Sequence, residues 1–446
     1  MGRNSYSKSL EIWTNGEHVG TWNIPARGGM ELIYSQEWVQ SEAGRPLSLS
    51  LPFGIGKSRI KTQAVENFFR NLLPDSDVIR KRIAEKFKLK SADTFELLES
   101  IGRDCVGAVQ LLQPGKTPTG FDKIEFIPLS EELVANHLKR VVVAPGFSTQ
   151  DIDDEFRISL AGAQEKTALL WHAGKWNLPL NSTPTTHIFK LPLGLVGNSQ
   201  VNLETSVENE WLCLQILREF GLPITNSELA TFKGQRVLIV ERFDRKLSTS
   251  GTWWMRLPQE DFCQALGVAP NNKYESDGGP GFGSIARLLQ QSTHPDKDRN
   301  TLLTAQILFW MLAATDGHAK NFSTKMLSGG AFHLTPLYDV LSAWPVIGRG
   351  AGKWELQKVK LAMAVEGKNR HYKMQDIKRR HFNHMAYQNG YSQGAELIIQ
   401  SLIEQTPHVI ESVQSAIPSS FPGAIADAIL GGLSKSAHAL AKMPKD

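Results

Sequence analysis

ATDGHAKNFS, residues 314–323, sets a polar loop against the end of TLLTAQILFWMLAA, an apolar run that reads as a buried helix. After the loop comes FHLTPLYDV, a strand-like run that stops at Tyr338 and Asp339. Further on, ELIIQSLIEQ and HVIESVQSAI carry amphipathic helical patterns, as IARLLQQ does before the loop. Upstream of Trp254 the character changes. FRISLAGAQEKTALL, THIFKLP and RVLIVERFDR read as strands, separated by one clear helix, ENEWLCLQILREFG, with Gly221 and Pro223 as its stop. Near the start, LEIWTNGEHVGTW holds Asn15-Gly16 between apolar runs, a hairpin signal. RPLSLSLPF alternates from Leu47 to Leu51 like a half-buried strand, and AVENFFRNLL, VIRKRIAEKF and DTFELLESIG read as three short helices, the first closed by Pro74. VGAVQLLQPG returns to strand. The expectation is an α+β chain of two lobes, a mixed α/β N-terminal part and an α-rich C-terminal lobe. Its segments are 1–112, a linker or domain-edge segment at 113–155 with a possible helix (LSEELVANHLK) and the acidic DIDDE, then 156–254 and 255–446.

Composition narrows the class. Of 446 residues 41% are hydrophobic and 21% charged, which suits two or three packed units. Lys plus Arg (49) barely exceeds Asp plus Glu (45), so any nucleic-acid contact must come from local clusters such as residues 80–82 and 378–381. Both clusters read more simply as solvated helix faces. Three scattered cysteines without a CxxC pair argue for a reducing, cytoplasmic setting, and no run of about 18 apolar residues offers a membrane span. The twelve histidines show no HxxxH spacing, and no GxSxG is present, so zinc hydrolysis and serine hydrolysis have no anchor.

The loop itself carries chemistry. Asp316 and Asn321 stand five residues apart, the spacing at which kinases hold a proton-accepting Asp and a magnesium-binding Asn beside one γ-phosphate. Taken alone, DGHAKN reads equally well as a solvated turn. Lys320 between the two offers a cation for charge developing on the phosphate. Asp339, eighteen residues after Asn321, stands where a second metal carboxylate is needed. Upstream, in the order a nucleotide site requires, come three elements. Ala161, Gly162 and Ala163 form a small-residue turn whose N–H groups can approach phosphate. Lys190 lies in a short strand. Glu241, Arg242 and Phe243 end an apolar strand where an adenine edge would bind. Glu204, Glu208 and Glu210 are all candidates to orient Lys190. The ordered set points to ATP- and Mg²⁺-dependent phosphotransfer.

ISLAGAQEKTALL, TPTTHIFKLP, VERFDR, RLPQEDFCQALG, KYESDGGPG, ATDGHAKNFS and LTPLYDVLSAWP together closely resemble the HipA family, the serine/threonine kinase toxins of bacterial type II toxin–antitoxin systems. RPLSLSLP, ENFFRNLLPDS and ESIGRDCVGAVQLL match the family's N-terminal region, so the resemblance spans roughly residues 10 to 390. It implies a two-lobed protein-kinase-like fold. It makes Asp316 the proton acceptor, gives Mg²⁺ to Asn321 and Asp339, and gives the phosphates to Lys190 and to the loop Ala161, Gly162, Ala163, Gln164, Glu165 and Lys166. Glu241 to Phe243 would take adenine, and His318, Ala319, Lys320, Asn321, Tyr338 and Asp339 would complete the ATP site. Ser159 matches the serine that such kinases autophosphorylate to silence themselves. A HipB-type helix-turn-helix antitoxin, operator DNA reached chiefly through it, and glutamyl-tRNA synthetase as protein substrate are the implied partners. A small-molecule phosphotransferase of the aminoglycoside-kinase type and a catalytically silent repressor subunit are the competing readings.

Overall fold

Asn15 and Gly16 turn the chain between strands Tyr6–Thr14 and Glu17–Pro25 with φ of 47° and 87°, the left-handed pair that a two-residue hairpin demands. The protein is described by a computed structural model covering residues 6–54, 59–142, 158–162, 164–196 and 200–445. DIDDE and Ala163 therefore lie outside the described residues. The chain forms two compact units, one from residues 1–191, 230–271 and 323–332, the other from 192–229, 272–322 and 333–446.

In the first unit the hairpin sits in a five-stranded sheet with Glu31–Tyr34, Arg59–Ile60 and Gln110–Leu112. Helices Gln63–Asn71 and Thr94–Ile101 cover it, and Trp22 stacks on Phe69 with centroids 3.9 Å apart. A second, six-stranded sheet has the order 227–232, 235–241, 187–190, 166–172, 175–179, 126–128. Helix Glu131–Val142 packs Val134, Ala135 and Leu138 against its Leu169, Phe189 and Ile239. The described residues of segment 113–155, expected to be a linker or domain edge with a possible helix, supply an edge strand and the covering helix.

RPLSLSLPF does not form the expected strand. Its serines take backbone and carboxylate partners instead of ladder neighbours: Ser48 Oγ donates to Glu260 at 2.5 Å, Leu49 N–H donates to the same carboxyl at 2.8 Å, and Leu51 N–H turns back to Ser48 O. Burial pushes the Glu260 carboxyl up to about 8, against the opposing pull of the Ser48 hydrogen bond. The folded state therefore keeps a proton that the unfolded chain releases near 4.5. Stability falls as pH rises from about 4.5 to 8, with a slope approaching 1.4 kcal/mol per pH unit from this group, and levels off above. Urea midpoints of wild type and Glu260→Gln between pH 5 and 9 check this: the variant's profile is flatter.

Five charged side chains lock the first unit internally. Asp104 and Asp244 face Arg242, Arg245 and Arg256, all buried, with Arg245–Asp104 at 2.8 Å and Arg242–Asp244 at 2.9 Å. Thr185 donates to Asp104 through both N–H and Oγ1, and Gly107 N–H donates to Asp244. Burial alone would raise the Asp104 pKa; the guanidiniums of Arg245, Arg242 and Arg256 override it and hold the carboxyl well below the usual carboxylate range.

The second unit is mainly helical, built around helix Pro295–Met311, whose Leu302 to Met311 are almost all buried. Helix Ser206–Glu219 has a buried face running from Ser206 to Leu217. ELIIQSLIEQ and HVIESVQSAI form one continuous helix, Glu396–Ala416, through Pro407, and a last helix, Gly423–Lys442, packs Gly432 under the Trp344 ring. A Cβ at Gly432 would stand 2.3 Å from that ring. No described helix is long and apolar enough to cross a membrane.

Candidate phosphotransfer site

The second unit gathers the downstream half of the expected site. Helix Pro295–Met311 ends at Leu312, and Ala313 turns the chain with φ of 51° so that Ala314 N–H closes back on Phe309 O at 2.7 Å. This places Asp316 at the surface. A Cβ on Gly317 would stand 2.4 Å from the Phe309 ring, so the D-G step is fixed by packing. A 3₁₀ turn over Ala319–Asn321 follows, with Asn321 N–H donating to His318 O at 2.9 Å.

Asn321 is the joint of the site. Its Nδ2 donates to Asp316 O at 2.7 Å and to Asp339 O at 3.3 Å, so one side-chain amide ties the two acidic segments together and turns Oδ1 to the opposite side. Asp339 stands with φ of 60°, the left-handed region that Asp tolerates better than most residues. The strand Phe332–Leu334 stops five residues short of it. Leu337 is then pinned by a bridge to Ile224, with Thr225 N–H donating to Leu337 O at 3.0 Å. Tyr338 Oη donates to Lys320 O at 2.9 Å. Asp316, His318, Lys320, Asn321, Tyr338 and Asp339 are thus brought together.

Tyr274 belongs to the same group. Its Oη donates to Asp316 Oδ1 at 2.5 Å, and its ring meets that of His318 edge-on with centroids 5.2 Å apart. His318 Nε2 lies 3.8 Å from the same carboxylate oxygen. The segment KYESDGGPG holds Tyr274 in place: Ala364 N–H donates to the Glu275 carboxyl at 2.6 Å, and that carboxyl occupies the space a Cβ on Gly281 would need. The KYESDGGPG motif was the available signal for Tyr274, but no spacing in it assigned a role.

The first unit carries the upstream half. Strand His187–Lys190 runs between Lys166–His172 and Gln235–Glu241, with Lys190 opposite Lys166 on one side and Leu238 on the other; its side chain is buried. In the small-residue loop Gly162 has φ of 103°, a conformation reserved for glycine, and its carbonyl accepts from Asp75 N–H at 3.0 Å. Lys166 Nζ donates to Ala161 O at 2.6 Å, Gln164 Nε2 to Leu191 O at 2.6 Å, and Glu165 pairs with Arg82. Those side chains brace the loop. Ser159 is fully buried, its Oγ donating to Leu72 O at 2.7 Å and its N–H to Asp104 O at 3.0 Å.

At Glu241 to Phe243 the Arg242 guanidinium is committed to the buried ion cluster and its N–H donates to Thr186 O at 2.9 Å. The Glu241 side chain is exposed and Phe243 half-buried. Of the glutamates weighed for Lys190, Glu204 is exposed and hydrogen-bonds Asn202, whereas Glu208 and Glu210 are buried in helix Ser206–Glu219.

Residues 10–112 match the HipA N-terminal domain, and residues 158–410, more than half of the chain, match the HipA-like C-terminal domain. The chain therefore belongs to the HipA family. A Sinorhizobium fredii protein named "Putative kinase Y4mE" is 34% identical over 337 residues, covering 75% of this chain and 77% of that one. The serine/threonine-protein kinase toxin HipA of Shewanella oneidensis is 26% identical over 347 residues, 75% of each chain. The solved toxin–antitoxin complex of HipA, HipB and operator DNA from Shewanella oneidensis MR-1 shares the fold at a TM-score of 0.76 and 22% identity, covering 96% of each chain. The expected two-lobed α+β kinase-like class is thus the observed one.

Proposed function

We propose that the protein is an ATP- and Mg²⁺-dependent serine/threonine protein kinase acting as the toxin of a type II toxin–antitoxin pair. The observation that supports this most is the Asn321 amide holding the Asp316 and Asp339 segments on its two sides. Asp316 accepts the proton of the substrate hydroxyl as its oxygen bonds the γ-phosphorus and the bond to the β-phosphate oxygen breaks, releasing ADP. Tyr274 fixes Oδ1 and leaves Oδ2 for that proton. Lys190 and the backbone of Ala161–Lys166 bind phosphates, Lys320 balances charge on the γ-phosphate, and Glu241 to Phe243 contact adenine through the main chain. Asn321 Oδ1 and the Asp339 carboxylate are the donors for Mg²⁺, an oxygen set of the small size this ion takes when phosphate and water fill its remaining positions. Bound there, Mg²⁺ would neutralise charge on the transferring phosphoryl group.

Ser159 is the autophosphorylation site, and modification there silences the enzyme, since about −1.5 to −2 charges beside a triphosphate loop cannot be accommodated without moving it. The partners are a HipB-type antitoxin, operator DNA reached chiefly through it, and glutamyl-tRNA synthetase as substrate, with the bacterial cytoplasm and nucleoid as setting. The HipA, HipB and DNA composition of the Shewanella complex supports the first two.

The test is incubation of the purified protein with labelled ATP and Mg²⁺, alone and with cell extract, beside Asp316→Asn. Label is expected on Ser159 and on one extract protein, and absent with the variant. Since the Ser159 hydroxyl is buried and hydrogen-bonded, its labelling is slower than that of the extract protein. Label confined to small molecules, or no transfer at all, overturns the proposal.

A further inference from the structure

Helix Ser206–Glu219 presents three consecutive buried polar residues, Glu208, Asn209 and Glu210. The outer two are the carboxylates weighed for Lys190; Asn209 had no role in that reading. Its side-chain amide pairs with the main chain of Ser342 in both directions: Asn209 Nδ2 donates to Ser342 O at 2.7 Å, and Ser342 N–H donates to Asn209 Oδ1 at 2.8 Å. Cys213 Sγ, one turn further on, donates to the same Oδ1 at 3.4 Å. A planar amide matched to a peptide group fixes both distance and orientation, as no single hydrogen bond does.

Ser342 is three residues beyond Asp339. Its Oγ donates to Leu312 O at 2.5 Å, and Ala343 N–H donates to Ala313 O at 3.0 Å. Leu312 and Ala313 are the last residues of the turn that delivers Asp316. Between Asp339 and this latch the chain leaves the left-handed conformation at Asp339, a departure that ordinary β or helical geometry does not hold in place. The Asp339 carbonyl is fixed by Asn321 and the segment's far end by Asn209.

We infer that Asn209 is a positioning residue for the Asp339 carboxylate, setting how that carboxylate is presented to Mg²⁺ from the helix that bears Glu208 and Glu210. The inference rests on the proposed assignment of Asp339 as a metal ligand. Its role is indirect: through Ser342 it holds residues 339–343 in one arrangement. Groups that orient a metal ligand typically alter metal affinity by about 10–100-fold when removed.

Nucleotide binding by the full chain, measured by titration calorimetry with ATP in Mg²⁺ and with ATP in EDTA, tests it beside amide hydrogen exchange of the unliganded protein. Wild type binds more tightly with Mg²⁺, and Asp339→Asn abolishes that gain. Asn209→Ala is expected to lose about 10-fold of the gain while its affinity in EDTA stays within about 2-fold of wild type, and to speed exchange at the Ser342 amide by at least about 10-fold. Asn209→Asp keeps side-chain volume and sets an oxygen against Ser342 O; it follows the same pattern and serves where the alanine chain does not fold. Equal weakening in Mg²⁺ and in EDTA marks a merely structural role and overturns the inference, as does unchanged Ser342 exchange. Full Mg²⁺ enhancement in Asp339→Asn overturns the metal assignment itself and the inference with it. An intact Asp339→Asn effect beside a wild-type Asn209→Ala overturns the inference alone.

Discussion

Asp316→Asn lowers phosphate transfer to protein hydroxyls by about 10²–10⁴-fold, the range in which a positioned general base contributes. That loss equals about 3–5 kcal/mol of barrier at 1.36 kcal/mol per tenfold. The geometry makes the substitution specific. Tyr274 Oη donates to Oδ1, and an asparagine oxygen there accepts the same bond, so the loop keeps its shape. The backbone carbonyl of residue 316 still receives the Asn321 amide and the His318 N–H. Only the capacity to take a proton disappears. Affinity for Mg²⁺-ATP measured by calorimetry should stay within about threefold of wild type while the transfer rate collapses, because an interaction that matters only as the proton moves does not contribute to ground-state binding. A variant that lost nucleotide affinity to the same degree as turnover would place Asp316 in binding instead.

Asp104→Ala destabilises the chain by about 3–5 kcal/mol, the usual cost of removing one partner from a buried charge pair. Three guanidiniums face two carboxylates in that cluster, so the deletion leaves Arg242, Arg245 and Arg256, all buried, against Asp244 alone. Arg256 already has its pKa drawn down to about 10 by burial, offset chiefly by Asp104, and would be drawn down further. Thr185 would lose the acceptor for two donors. The native contribution of Asp104 is fully present above its unfolded value of about 3.8, because its folded pKa is depressed, and fades only in strong acid. Urea denaturation at pH 7 reads the loss directly, and the deficit relative to wild type narrows at pH 2–3. A shift below about 1 kcal/mol would mean that the network can be neutralised by water or rearrangement.

Local signals carried much of the architecture. Asn15-Gly16 announced the hairpin, because two successive left-handed residues leave few alternatives. The apolar run before Asp316 announced a buried helix, and the spacing of Asp316, Asn321 and Asp339 survived folding as one hydrogen-bonded group. What stayed hidden was decided by long-range partners. Leu47 to Leu51 alternates like a strand, yet Ser48 and Ser50 find Glu260 and Gln264 more than two hundred residues away. Nothing local marked the Arg242 guanidinium for burial, since its partner Asp104 lies 138 residues distant in sequence. Tyr274 and Asn209 had no periodicity or spacing to mark them, since each acts through one side chain on a remote segment.

The family's two named regions meet at a seam that folding does not respect. Asn67 and Asn71 donate to the carbonyls of Gly267 and Val268, Asn15 exchanges two hydrogen bonds with the main chain of Arg256, and Gly107 N–H reaches Asp244. Cutting the gene between residues 112 and 158 would strand each of these partners against solvent or against nothing. The amino-terminal region is therefore no detachable accessory. It is the missing wall of the kinase's own interior, and recombination that shuffles one region must carry the other with it.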